Sequence, residues 1–179
     1  MNVFGYVVIG VGAIIVIGLF SYLIKTYNRF VKLRIDVERQ ASHVQVHLKK
    51  KFDLIPSLAE VVKGYAKHEK GVLTEVTRLR SQWGAATDIN EKMKTSNMLE
   101  SALSKLIVVQ ERYPKIKADR SFNNIQRSIS YVEIELVKER KVFNKRVSWY
   151  NRKIQEFPSN IIAKIFGFNE QQFFSMENK

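Results

Sequence analysis

Residues 121–157 read SFNNIQRSISYVEIELVKERKVFNKRVSWYNRKIQEF, and the spacing within them decides the fold. Phe122, Ile125, Ile129, Val132 and Leu136 lead into Phe143, Val147, Tyr150, Ile154 and Phe157, in steps of three and four around one polar interruption at Glu139 and Arg140. Strands alternate every second residue, whereas steps of three and four put side chains on one face of an α-helix. An apolar stripe of this length must be covered by partner helices, so the pattern predicts a bundle. Asp119 or Ser121 is expected to cap the start of this helix, and Pro158 to stop it. A short apolar segment, 161–166, closes on Gly167 and is expected to fold back.

The same reading extends toward the N-terminus. Val37, Ala41, Val44, Leu48, Phe52, Ile55, Ala59, Val62 and Ala66 keep the three/four spacing across Pro56. Proline removes a backbone donor and clashes with the preceding turn, so a kink or a restart is expected near Asp53, the unbroken register favouring a kink. Val72, Val76, Leu79 and Trp83 define a further helix ending at Gly84. Asp88 with Glu91 resembles a cap and its partner, opening a helix that Pro114 ends. Glycine (8) and proline (3) are scarce, as suits long helices with few turns.

Ahead of this region stands Val3–Ile24, VFGYVVIGVGAIIVIGLFSYLI, which contains no charged residue. At about 1.5 Å per residue such a helix spans about 33 Å, enough to cross a hydrocarbon core of about 30 Å. No basic residue precedes it, and Phe20-Ser21-Tyr22 makes a poor cleavage site, so a retained anchor is expected over a cleaved signal. Lys25, Arg29, Lys32 and Arg34 follow it directly. By the positive-inside rule the N-terminus lies outside and the remainder in the cytoplasm, at a single-pass position in the cell membrane. The expected organisation is all-α: a transmembrane anchor in 1–25, then an antiparallel up-and-down bundle of long helices in 26–179.

The net charge of +13 lies entirely beyond residue 24, with +6 in 25–70, +1 in 71–114 and +6 in 115–179. Such a surface suits anionic lipid, nucleic acid or an acidic partner. The absence of cysteine excludes disulfides, thiolate nucleophiles, thiolate zinc sites and a lipid-modified N-terminal cysteine. No glycine-rich phosphate loop and no nucleophile elbow is present.

Several stretches together resemble the LemA family. They are Tyr27-Asn28-Arg29-Phe30-Val31, then Lys51-Phe52-Asp53-Leu54-Ile55-Pro56-Ser57-Leu58, close to the family's DLIPNL pattern. Val62-Lys63-Gly64-Tyr65-Ala66 follows, ahead of His68-Glu69, and then Glu111-Arg112-Tyr113-Pro114 with Lys117-Ala118. Phe143-Asn144, Tyr150-Asn151, Phe157-Pro158-Ser159-Asn160, Ala163 and Gly167-Phe168 complete the series. Phe143 stands where the family usually has tyrosine, and Ser57 where it often has asparagine. The resemblance implies a membrane-anchored helical bundle whose biochemical activity is not established. Many members carry a lipoprotein anchor that places the domain outside the cytoplasm, against the positive-inside reading here.

Candidate residues divide between chemistry and structure. His43 and His47 share one helix face at metal-ligand spacing, but two ligands make no site and no His-Glu-x-x-His is present. His68 and Glu69 match the family pattern, and a turn between helices is their expected role. Asp53 is expected to cap a helix restarted at Pro56 or to pair with Lys49 or Lys50. Glu133 and Arg140 lie two turns apart and, with Asn144, are expected to form a polar cluster that fixes helix register. Lys49, Lys50 and Lys51 are expected to form a solvated face able to touch anionic groups.

The expected function is a non-catalytic interaction or scaffold role at a bacterial-type cell membrane. Its partners would be membrane lipid through one span, a protein, and anionic headgroups, with no cofactor, metal or small-molecule substrate. The alternative is a basic bundle that binds nucleic acid or an anionic lipid surface; a recognised nucleic-acid motif is absent. A metal-dependent hydrolase ranks last.

Overall fold

A computed structural model describes residues 3–66, 69–87 and 89–174. Among these residues the helix is the only regular element: α1 Val3–Asp53, α2 Ile55–Tyr65, α3 Lys70–Ala85, α4 Ile89–Arg112, α5 Pro114–Ala118, α6 Arg120–Gln155 and α7 Ser159–Ile165. The helices pack as an antiparallel bundle. The chain divides into two compact units, Met1–Gln40 with Asn144–Phe173 and Ala41–Phe143 with Phe174–Lys179, and α1 and α6 contribute residues to both.

In the first unit, α1 carries the one stretch among the described residues that is long and apolar enough to cross a membrane, and none of it is buried. Beyond it, Phe30 and Val37 are buried, as are Val147, Tyr150 and Ile154 of α6 and Ile162 and Ala163 of α7. The chain leaves α7 through a defined cap. Gly167 takes φ +70°, a left-handed conformation that costs glycine little. The Phe168 amide then donates to the Ala163 carbonyl at 2.9 Å and the Gly167 amide to the Lys164 carbonyl at 3.4 Å. These are the two bonds of a Schellman motif, and they satisfy carbonyls at the helix end. The cap turns Phe168 onto α1, 5.1 Å from the Phe30 ring and 5.6 Å from Tyr27. Asn151 of α6 ties down the segment that follows by donating to the Gln171 carbonyl and accepting from its amide, both at 2.9 Å.

In the second unit, α3 packs along α4, and α2 lies against α3 and α5. The apolar stripes form the core. Leu48, Phe52, Ile55, Val62 and Ala66 are buried on both sides of Pro56, and the fully buried residue just after the proline is Leu58 rather than the expected Ala59, which is half-buried. Facing them are Val76 and Leu79 of α3, Leu99, Leu103 and Leu106 of α4, and Phe122, Ile129 and Leu136 of α6. The interruption at Pro56 is a single residue: Leu54 keeps right-handed helical dihedrals (φ −80°, ψ −16°), so the chain kinks rather than unwinds. Of the two candidate caps for α6, Asp119 acts, its Oδ1 accepting from the Phe122 amide at 2.9 Å.

Two boundaries differ from the sequence pattern. α3 runs through Gly84 to Ala85, because one glycine in a helix costs only about 1 kcal/mol and does not force an end. α6 ends at Gln155, so Phe157 is not on its apolar face and is 80% exposed. Asp88 lies outside the described residues.

Candidate functional site

Arg140 occupies a stripe position of α6, one turn after Leu136, which points its long side chain into the second unit. Its guanidinium meets the carboxylate of Glu100 on α4, with Nη2 on Oε1 and Nη1 on Oε2 at 3.4 Å. This fork matches the planar carboxylate with two parallel bonds. The guanidinium carbon lies over the Phe174 ring, 4.4 Å from its centroid, where the ring's π-face attracts a cation. Lys51 of α1 completes the group. Its ammonium bonds Glu133 of α6 and lies 3.8 Å from Glu100.

Two cations and two carboxylates thus alternate through the unit, and they join α1, α4 and α6. Side-chain exposure is 3% for Arg140 and 7% for Lys51, against 22% for Glu100 and 35% for Glu133. The cations are therefore the buried members, and each depends on its carboxylate for compensation. Arg140 Nε has no hydrogen-bond partner among the described residues.

Lys51 therefore departs from the expected solvated run. Its position on the α1 stripe side turns it inward, while Lys49 and Lys50 remain exposed. Asn144 is half-buried, one helical turn beyond Arg140. Glu100 carried no signal in its local sequence. Only the alignment of α4 with α6 brings it to Arg140.

A second cluster explains the residues around Pro56. Proline cannot donate to the Phe52 carbonyl, four residues back. Arg80 of α3 supplies the missing donor: its Nε bonds the Phe52 carbonyl at 3.2 Å. Arg80 Nη2 also lies 3.6 Å from Asp53 Oδ1, and Asp53 Oδ2 accepts from Lys49 at 2.8 Å. The Lys49 ammonium, helped by Arg80, holds the Asp53 carboxyl below its usual range. Asp53 therefore pairs with cations and makes no side-chain cap for α2.

Glu69 precedes α3 without a side-chain capping bond, and its carboxylate lies 3.2 Å from Arg112 Nη1. Tyr65, at the end of α2, donates to Asp119 Oδ2 at 2.9 Å. Bonds from the Phe122 amide and the Tyr65 hydroxyl together lower the Asp119 carboxyl. His68 lies outside the described residues. His43 is exposed and His47 half-buried, and no group of three potential metal ligands assembles among the described residues.

The geometry defines a helical-bundle protein whose first helix carries a membrane-length apolar segment and whose second unit is threaded by an ion cluster. The LemA family model matches residues 40–179, and the chain belongs to the LemA family. It is similar to Magnetosome protein MamQ 2 of Paramagnetospirillum magneticum, with 22% identity over 185 residues, covering 89% of this chain and 68% of that protein. Magnetosome protein MamQ of Magnetospirillum gryphiswaldense is 19% identical over 192 residues, covering 93% and 71%. Protein LemA of Metamycoplasma hominis is 22% identical over 153 residues, covering 84% and 70%.

Proposed function

We propose that this protein is a single-pass membrane protein whose helical region, 26–179, binds a protein partner and performs no catalysis. Residues 1–25 would be the anchor, with the N-terminus outside and the helical region in the cytoplasm. The observation that carries the non-catalytic reading is the employment of the charged side chains. Lys51, Glu100, Glu133 and Arg140 neutralise one another, and Asp53 is held by Lys49 and Arg80. A general acid or base needs a group free to exchange protons with a substrate, and these groups instead bind helix to helix. Tyr131 and Ile134 of α6 are exposed apolar side chains on a helix face, the kind of surface a partner helix covers. The anchor is supported by the continuity of α1, which runs from the apolar stretch into the buried positions of the bundle. The orientation is supported by Lys25, Arg29, Lys32 and Arg34.

Protease access in intact cells carrying a C-terminal tag tests the orientation. Protection until lysis is expected, and cleavage in intact cells would overturn it. Photo-crosslinking from positions 131 and 134 in the same cells tests the interaction. A discrete adduct with one protein is expected. Uniform absence of adducts at both positions would remove this face from consideration.

A further inference from the structure

The segment that closes α7 returns to α1 just where α1 leaves the apolar stretch. Phe166 packs edge-on against Tyr27, with ring centroids 4.9 Å apart. Tyr27 is three residues beyond Ile24, or about 4.5 Å along the helix axis. The polar layer on each side of a bilayer is about 5–8 Å thick, so Tyr27 falls within it when the apolar stretch fills the hydrocarbon core.

Arg29 is close enough to Glu156 to contribute to lowering its carboxyl, after the larger effect of the Lys153 hydrogen bond. Phe157 comes next in the chain. The segment from 157 to 166 therefore ends in ring contact with Tyr27, within one turn of the end of the apolar stretch.

This segment is amphipathic. Ile162 and Ala163 are buried, whereas Ile161 is 51%, Ile165 68% and Phe157 80% exposed. Exposing three large apolar side chains in one short segment is costly in water. Exposed basic side chains accompany them on the same elements: Lys164 on α7, and Lys25 and Arg29 on α1 in the turns just beyond the apolar stretch.

We propose that Phe157 and the outer face of α7, through Ile161 and Ile165, form a second membrane contact that lies in the headgroup layer and sinks its apolar side chains into the lipid beside the spanning helix. The inference rests on the reading of α1 as a membrane span. Aromatic and aliphatic side chains on one face with lysine and arginine at the rim are the chemistry of an interfacial helix. A bilayer is the occupant indicated because the patch is continuous with the level at which α1 enters it. The cap at Gly167 and the bonds from Asn151 to Gln171 hold the segment there.

The chain has no cysteine, so single cysteines can be introduced for spin labels without altering others. The full chain, reconstituted in phosphatidylcholine–phosphatidylglycerol vesicles, would carry I14C, I161C, I165C or S81C in turn. Power saturation with oxygen and a water-soluble nickel chelate then reports the surroundings. Labels at 14, 161 and 165 should collide more with oxygen than with nickel, and the label at 81 the reverse. Lipid exposure at 14 with nickel exposure at 161 and 165 overturns this inference and leaves the span intact. Low collision with both reagents at 161 and 165 also overturns it, since protein would then cover the patch. Nickel exposure at 14 overturns the span, and this inference with it.

Discussion

Replacing Arg140 by methionine should be among the most damaging single changes outside the apolar core. Methionine keeps much of the aliphatic stem against Phe174 but removes both bonds to Glu100. Breaking a buried ion pair by removing one partner typically costs about 3–5 kcal/mol, because a buried charge is left uncompensated. Here Glu100 retains Lys51 at 3.8 Å and is 22% exposed, which moves the expected cost down to about 2–3 kcal/mol. For a chain of this size each kcal/mol shifts the melting midpoint by about 2–4 °C, giving a fall of about 5–10 °C. The assay is the helical circular dichroism signal of the full chain in detergent micelles during heating. E100M alone and R140M/E100M complete a double-mutant cycle, and the double variant should melt well above the additive expectation, with a coupling of about 1–3 kcal/mol. A fall of less than about 1 °C for R140M, or additive effects, would refute the claim that this pair is a buried, mutually dependent unit. E133L should lower the midpoint less than R140M, because Glu133 is the most exposed member, yet more than the exposed reference K50L.

Other consequences follow from particular bonds. R80M should cost about 1 kcal/mol, below the usual range of about 1.5–3 kcal/mol for a charged donor because Arg80 is 40% exposed, and the cost should shrink in P56A, where an alanine amide can serve the Phe52 carbonyl; equal melting shifts in both backgrounds would dismiss the link between Arg80 and Pro56. G167A should destabilise by about 1–2 kcal/mol through the left-handed φ, whereas G84A, with open space around its added carbon, should be neutral or stabilising by up to about 1 kcal/mol; denaturant midpoints compare the two. The Asp119 carboxyl is lowered in the folded chain, so its stabilisation is present above the unfolded aspartate value of about 3.9 and is lost as pH falls through the lower folded value. A pH series of melting curves should therefore show a shallower acid decline in D119A than in the parent. Finally, H43A/H47A/H68A should complement a deletion strain as well as the parent does, and loss of complementation with intact folding would revive a metal or acid–base role.

The residues that were legible in sequence are those whose role depends on their own helix. The stripe from Phe122 to Ile154 was readable because its period belongs to a single helix, and the interruption at Arg140 was visible for the same reason. The group that answers Arg140 was not readable, since Glu100 sits on an exposed-looking position of another helix. The same holds for Arg80, which lies 28 residues from Phe52 with nothing in its own stretch to mark it as the donor for that carbonyl. Lys51 was misread because adjacent lysines look alike in a row, whereas successive helix positions turn by about 100° and only one of three faces inward.

By itself the sequence determined the helical class, the membrane-length apolar segment, the position of the proline kink and the candidate caps, because each follows from backbone chemistry or periodicity within a few residues. The tertiary structure decided which charges face inward and find each other, which of Asp119 and Ser121 caps α6, and where the segment that closes α7 returns to α1. Those outcomes depend on the axial alignment of helices distant in sequence, which is set by the packing of whole apolar stripes and is written in no local stretch.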